Sequence, residues 1–144
     1  MTDPRALYHA TIVDHDRHPR HEGPLPGATH SATADNPLCG DTVTVHLVVD
    51  GPAIAAASFE ARGCALSRAA ASIATSRAIG ATPDEIRALA NAFDEFVRSP
   101  TDAPVPAGLG ELEVFGGVRA FKSRRSCACL AFHALNSALE SESR

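Results

Sequence analysis

The chain predicts an α+β fold in which an antiparallel strand hairpin is followed by a set of helices. Three observations lead there. In residues 42–49, Val43, Val45, Leu47 and Val49 alternate with Thr42, Thr44, His46 and Val48, a period of two that suits a half-buried strand. Asp50-Gly51 then marks a hairpin turn, and residues 53–61 supply a return strand with Ile54 and Phe59 as its largest apolar side chains. Beyond Gly63, apolar residues recur at helical spacing in separate stretches. At 144 residues the chain is expected to form one domain, 1–144, with a flexible polar tail from about residue 140.

The elements follow in order. Thr2 or Asp3 before Pro4 reads as a helix N-cap and first helical position. Leu7, Tyr8, Ile12 and Val13 give that helix an apolar face through about His15. Residues 16–35, rich in Pro, Gly and His, read as an ordered loop with a short strand near 28–34. His15, His18 and His21 are spaced three apart, but Pro19 interrupts any helix that would align them as ligands. Residues 65–79 form an Ala-rich helix that Gly80 ends. Thr82-Pro83-Asp84-Glu85 is a capping box that opens a helix to about Val97, its apolar face made by Ile86, Leu89, Ala90, Phe93 and Phe96. Residues 99–108 connect to a short helical or irregular stretch around Leu109, Leu112, Val114 and Phe115, which Gly116-Gly117 is expected to close. Residues 124–139 form the last helix, with Leu130, Ala131, Ala134, Leu135 and Ala138 along one side.

Composition narrows the function classes. The hydrophobic fraction is 44% and the charged fraction 21%, ordinary for a globular domain. A net charge of −4 argues against a nucleic-acid partner, which calls for a basic face. No apolar run is long enough for a membrane span, and the N-terminal residues do not read as a secretory signal. The expectation is a cytoplasmic protein, where four cysteines serve as ligands or reactive thiols sooner than as disulfides.

Asn36-Pro37-Leu38-Cys39-Gly40-Asp41 concentrates the chemistry. It sets a thiol and a carboxylate two residues apart, with a glycine between them that frees the backbone to turn. Cys39 and Asp41 are expected just before the first hairpin strand, and Cys64 just past the end of its partner, so an antiparallel hairpin brings them side by side. Cys64 and Cys127 both fall at or near predicted helix starts, where first-turn N–H groups favour a thiolate. Cys39, Asp41, Cys64 and Cys127 together form a donor set that suits a tetrahedral Zn²⁺. Spacing alone leaves this open, because a cysteine is as often a small buried apolar side chain. That second description fits Cys129, which stands about 200° around the helix from Cys127. Lys122, Arg124 and Arg125 directly precede Cys127, either as a solvated helix entry or as an offset to the charge of the site.

Three segments carry a resemblance. Asn36-Pro37-Leu38-Cys39-Gly40-Asp41, Phe59-Glu60-Ala61-Arg62-Gly63-Cys64-Ala65-Leu66-Ser67 and Ser123-Arg124-Arg125-Ser126-Cys127-Ala128-Cys129-Leu130 resemble, in order, the signature segments of the U-type (NifU N-terminal-like) iron–sulfur cluster assembly family. Asp14-His15 and His18-Pro19-Arg20-His21-Glu22-Gly23 resemble its segment ahead of the first cysteine. The long connection between Cys64 and Cys127, with extra sequence within residues 92–117, and Ser126 where the cluster-scaffold branch has His, resemble the SufU-type zinc-dependent sulfurtransferase branch. Cys129, and Ala70 and Ala71 in a helix start usually rich in Ser, depart from the pattern without removing a ligand.

The resemblance implies a small three-stranded antiparallel sheet with helices packed against it and a metal site at one end. It implies Zn²⁺ held by Cys39, Asp41, Cys64 and Cys127, with Cys39 as the acceptor of persulfide sulfur. The implied partners are a PLP-dependent cysteine desulfurase, which the protein activates, and a downstream iron–sulfur scaffold or other sulfur acceptor. A His of the desulfurase would take the place of Cys39 on the zinc and free its thiolate. Arg124 matches the family's Arg before the third cysteine, a residue near the ligands or the partner. The alternative is an iron–sulfur cluster scaffold that assembles a labile cluster on the same cysteines.

Overall fold

The computed structural model describes residues 9–37 and 40–140. Its elements are α1 (Ala10–Arg17), β1 (His30–Asn36), β2 (Asp41–Asp50), β3 (Ala53–Arg62), α2 (Ala65–Ala78), α3 (Pro83–Arg98), a 3₁₀ segment (Gly110–Ala120) and α4 (Lys122–Glu140). The three strands form one antiparallel sheet in the order β1-β2-β3, with helices against it, as the α+β expectation required. Asp50 pairs with Ala53, so Gly51-Pro52 is a two-residue loop. Gly51 has φ +62° and the ring of Pro52 fixes a negative φ, the sign pattern of a II′ hairpin turn.

Alternation decides which face of the sheet is covered. Val43, Val45, Leu47, Ile54 and Phe59 are fully buried on the inner face, where α2 packs against β3 and α4 against β1 and β2. The outer face is polar and bonds across its strands: Thr33 to Thr44 at 2.7 Å, Ser31 to His46 at 2.8 Å, and His46 to Glu60 at 2.8 Å. On the free side of β3, residues 21–23 add backbone bonds, Phe59 N–H to the His21 carbonyl at 2.9 Å and Gly23 N–H to the Phe59 carbonyl at 2.8 Å.

The Ala-rich composition of α2 has a packing reason. The helix lies between α1, α4 and β3, and Ala69, Ala70, Ala71, Ala74 and Ala78 have no exposed surface. Only small side chains let neighbours approach a helix from every side. The larger volume sits beside it, where Phe93 packs edge-on against Phe115 with centroids 5.6 Å apart and against Phe132 at 5.2 Å.

Several boundaries differ from expectation. The N-cap at Thr2 or Asp3 and the apolar residues Leu7 and Tyr8 lie outside the described residues; the described part of α1 is capped by His9 and continues past His15 to Arg17. β1 runs to Asn36, so it takes the end of the predicted loop and reaches into the cysteine motif. Gly116 and Gly117 do not close the segment after Leu109: the 3₁₀ turns continue to Ala120, with Leu112, Phe115 and Val118 buried. α4 starts at Lys122, two residues early, which moves Cys127 into its second turn.

Candidate metal centre

The site forms where the sheet meets the helices, at the end of the β1–β2 pair. Asn36 pairs with Asp41, and the N–H of Gly40 donates to the Asn36 carbonyl at 2.8 Å, which closes the turn between the strands. Gly40 has φ +76°, a conformation only glycine adopts without strain. Asp41 is therefore the first residue of β2 rather than a residue ahead of it, and its side chain points to the inner, buried face with Val43. Cys39 lies outside the described residues.

Cys64 comes from the other end of the hairpin. Thr42 pairs with Arg62, so the two residues after Arg62 fall next to Asp41, and Cys64 is the N-cap of α2. Gly63 makes this junction possible. Its φ is +136°, and a Cβ built on it would collide with Oδ1 of Asp41. The carboxylate occupies the space that a side chain at position 63 would fill.

The Asp41 carboxylate is held on both oxygens. Oδ1 accepts from the backbone N–H of Cys64 at 3.2 Å. Oδ2 accepts from the Ser67 hydroxyl at 2.6 Å and from the Cys64 thiol at 3.1 Å. The positive end of α2 lies at the same place, so a negative charge is stabilised there by both N–H groups and dipole. Cys127 arrives from α4, 1% exposed, with its Sγ 3.9 Å from the Asn36 amide nitrogen and 3.9 Å from the Ser123 carbonyl. Cys127 stands in the second turn of α4, so of the two thiols only Cys64 sits at a helix start.

One ligand atom from each of Asp41, Cys64 and Cys127 lies within 4.8 Å of the others. Two thiols and a carboxylate at that separation fit a tetrahedral Zn²⁺, whose ligand atoms stand about 3.7 Å apart when Zn–S is about 2.3 Å. A fourth donor is needed to complete such a shell.

The remaining predicted residues separate cleanly. Cys129 faces α3, its Sγ 3.8 Å from Asp94 Oδ1, as its helical rotation from Cys127 required. Burial, with the Asp94 carboxylate adding to it, pushes the Cys129 thiol up to about 12. Arg124 is half-buried in the first turn of α4, and Arg125 turns inward to donate to the Arg119 carbonyl. His15 is buried and bonds Ser72 at 2.6 Å and Glu111 at 3.1 Å.

Two features escaped the sequence reading. The segment ahead of the first cysteine is a clamp on the helix that carries Cys64. Arg20 N–H donates to Ser72 Oγ at 2.9 Å, and Arg68 of α2 reaches Asp16 at 3.5 Å and Glu22 at 3.1 Å. Arg20 also bonds Asp14 at 2.7 Å, which holds the Asp14 carboxyl below its usual range. The second feature is Ser67, fully buried and bonded to Asp41. Its signal was present: one helical turn after Cys64 puts it on the same face.

Residues 7–128 match the NifU-like N terminal domain. The chain is 36% identical, over 93% of its length and 83% of the relative's, to the iron–sulfur cluster assembly scaffold protein IscU of Streptococcus pyogenes serotype M1. It is 31% identical, over 94% of its length and 91% of the relative's, to the zinc-dependent sulfurtransferase SufU of Bacillus subtilis. Among solved structures, the NifU-like N-terminal protein of Brucella abortus aligns with a TM-score of 0.86 and 29% identity over 94% of each chain. A putative assembly scaffold for the SUF system from Fervidobacterium islandicum aligns with a TM-score of 0.85 and 25% identity, over 95% of this chain and 99% of that one.

Proposed function

Since the chain belongs to the NifU-like N-terminal domain family, we propose that it is a sulfur-transfer protein of iron–sulfur cluster assembly, working with a cysteine desulfurase. The observation that carries this reading is the convergence of Asp41, Cys64 and Cys127 from three distant parts of the chain. Zn²⁺ would be held by these three residues together with Cys39, and when bound it keeps the thiols deprotonated at neutral pH. With four protein ligands no position is left for a hydrolytic water, which speaks against zinc hydrolase chemistry.

The chain's residues then divide the work. Asp41, Cys64 and Cys127 are fixed by a strand, a helix cap and a helix interior. Cys39, two residues before Asp41 in the sequence, is the sulfur acceptor. Its thiolate attacks the outer sulfur of a persulfide on the desulfurase cysteine. The S–S bond of that persulfide breaks, the desulfurase thiolate leaves, and a new S–S bond makes Cys39 the persulfide. Arg124, three residues before Cys127 on α4, contributes positive charge near the site or toward the partner. The similarity to a zinc-dependent SufU supports this reading, as do Ser126 before Cys127 and the long segment between Cys64 and Cys127.

A second reading is favoured by the 36% identity to an IscU scaffold: the same cysteines assemble a labile iron–sulfur cluster. One experiment separates the two. Anaerobically purified protein is analysed for zinc and iron and added to a desulfurase assay. Sulfur transfer predicts about one zinc per chain, no iron, and a desulfurase rate that rises with the protein but not with Cys39→Ser. Iron and sulfide in the purified protein, with no gain in desulfurase rate, would establish the scaffold reading instead.

A further inference from the structure

We propose that Ser67 is a positioning residue of the metal centre, its buried hydroxyl aiming the Asp41 carboxylate and so setting how firmly the site holds its ion; this rests on the metal-centre reading above. Ser67 has no exposed surface, and its Oγ has two acceptors in reach. The shorter bond goes to Asp41 Oδ2 at 2.6 Å, and the Cys127 carbonyl stands at 3.3 Å. It also lies 3.7 Å from Cys64 Sγ. One hydroxyl therefore touches all three chain segments that supply the described ligands.

The chemistry explains why a hydroxyl is suited to this place. A carboxylate that lends one lone pair to a cation must keep its remaining lone pairs satisfied, and at 3% exposure Asp41 cannot rely on solvent. The Cys64 N–H fixes Oδ1, and Ser67 fixes Oδ2, so the carboxyl plane cannot rotate. The Cys64 thiol also donates to Oδ2, but that donor is lost once the thiol becomes a thiolate ligand. Ser67 then remains as a side-chain donor at Oδ2.

Ser72 provides a matched control on the same helix. It too is fully buried, but its hydroxyl bonds His15 and the Arg20 N–H and, among the described residues, none of Asp41, Cys64 and Cys127. The test uses the full chain, stripped of metal and titrated with Zn²⁺ alone against a chromophoric chelator, in wild-type, Ser67→Ala and Ser72→Ala forms. Thermal melting of each metal-free protein is recorded alongside. Ser67→Ala is expected to weaken Zn²⁺ binding roughly tenfold or more, the usual effect of removing a residue that orients a ligand. Ser72→Ala is expected to lower the metal-free melting temperature while leaving the Zn²⁺ affinity unchanged. Equal affinities in wild-type and Ser67→Ala would overturn the inference, as would equal losses in both variants, which mark a general softening of α2. A wild-type chain that does not bind Zn²⁺ overturns the metal-centre reading and this inference with it, whereas a binding wild-type with an indifferent Ser67→Ala overturns the inference alone.

Discussion

At position 63 a single Cβ separates a formed site from a broken one. Gly63 holds φ +136°, and the volume its missing side chain leaves is filled by the Asp41 carboxylate. Gly63→Ala meets both a backbone conformation that L residues rarely adopt and a collision with that carboxylate. The expected outcome is a protein that still folds around its inner sheet but binds Zn²⁺ at least tenfold more weakly, read by chelator competition. Unchanged affinity would mean that Asp41 has room to move, contrary to its packing. Cys129 makes the opposite case, a thiol whose environment suppresses its chemistry. Its pKa is pushed from about 9 up to about 12 by burial, then by Asp94. The folded state thus favours the neutral thiol more than the unfolded chain does. The stability this gives is fully present below about pH 9 and is lost as pH rises toward 12. Denaturant midpoints at pH 8 and pH 10.5 should therefore fall further apart in wild-type than in Cys129→Ala. An equal fall in both proteins would show that Cys129 is not the group responsible.

Elements were legible in the sequence wherever local chemistry and tertiary packing asked for the same thing. The capping box at Thr82 is fully formed: Glu85 N–H donates to Thr82 Oγ1 at 3.2 Å, and Thr82 N–H donates to Glu85 Oε1 at 2.9 Å. Thr82→Ala should cost about 1 kcal/mol of stability by denaturant unfolding, and a loss below about 0.3 kcal/mol would show that packing of Phe93 and Phe96 holds α3 without the cap. The hairpin of β2 and β3 was equally readable, because a period of two and an Asp-Gly turn agree. Where tertiary contacts override local signals, local pattern and structure diverge. Gly116-Gly117 reads as a stop, yet the turns continue because Phe115 and Val118 are drawn into the core on either side of it. β1 has a weak alternation of small residues, and its length is set by pairing with β2 rather than by its own side chains. The site follows the same division. The hairpin pattern brings Asp41 and Cys64 together, whereas the approach of Cys127 depends on α4 crossing the sheet, which no local pattern encodes.

Across the whole molecule, the described ligands come from the first residue of β2, the junction of β3 with α2, and the second turn of α4. An ion bound by all three ties the sheet to both helices that cover it. The bond of Arg20, in the loop after α1, to Ser72 of α2, and the pairs of Arg68 with Asp16 and Glu22, then extend that tie to the N-terminal part of the fold. The unfolded chain lacks a preformed site, so binding free energy becomes folding free energy. At a free Zn²⁺ concentration about a hundred times the dissociation constant, the gain is about 2.7 kcal/mol. For a chain of this size that corresponds to a rise in melting temperature on the order of 5 to 10 °C. Scanning calorimetry of the stripped protein, with and without Zn²⁺, reads this directly. Asp41→Ala, which removes a donor on which two elements converge, should abolish most of the rise. A melting temperature that climbs equally in wild-type and Asp41→Ala would locate the stabilising metal elsewhere and remove Asp41 from the ligand set.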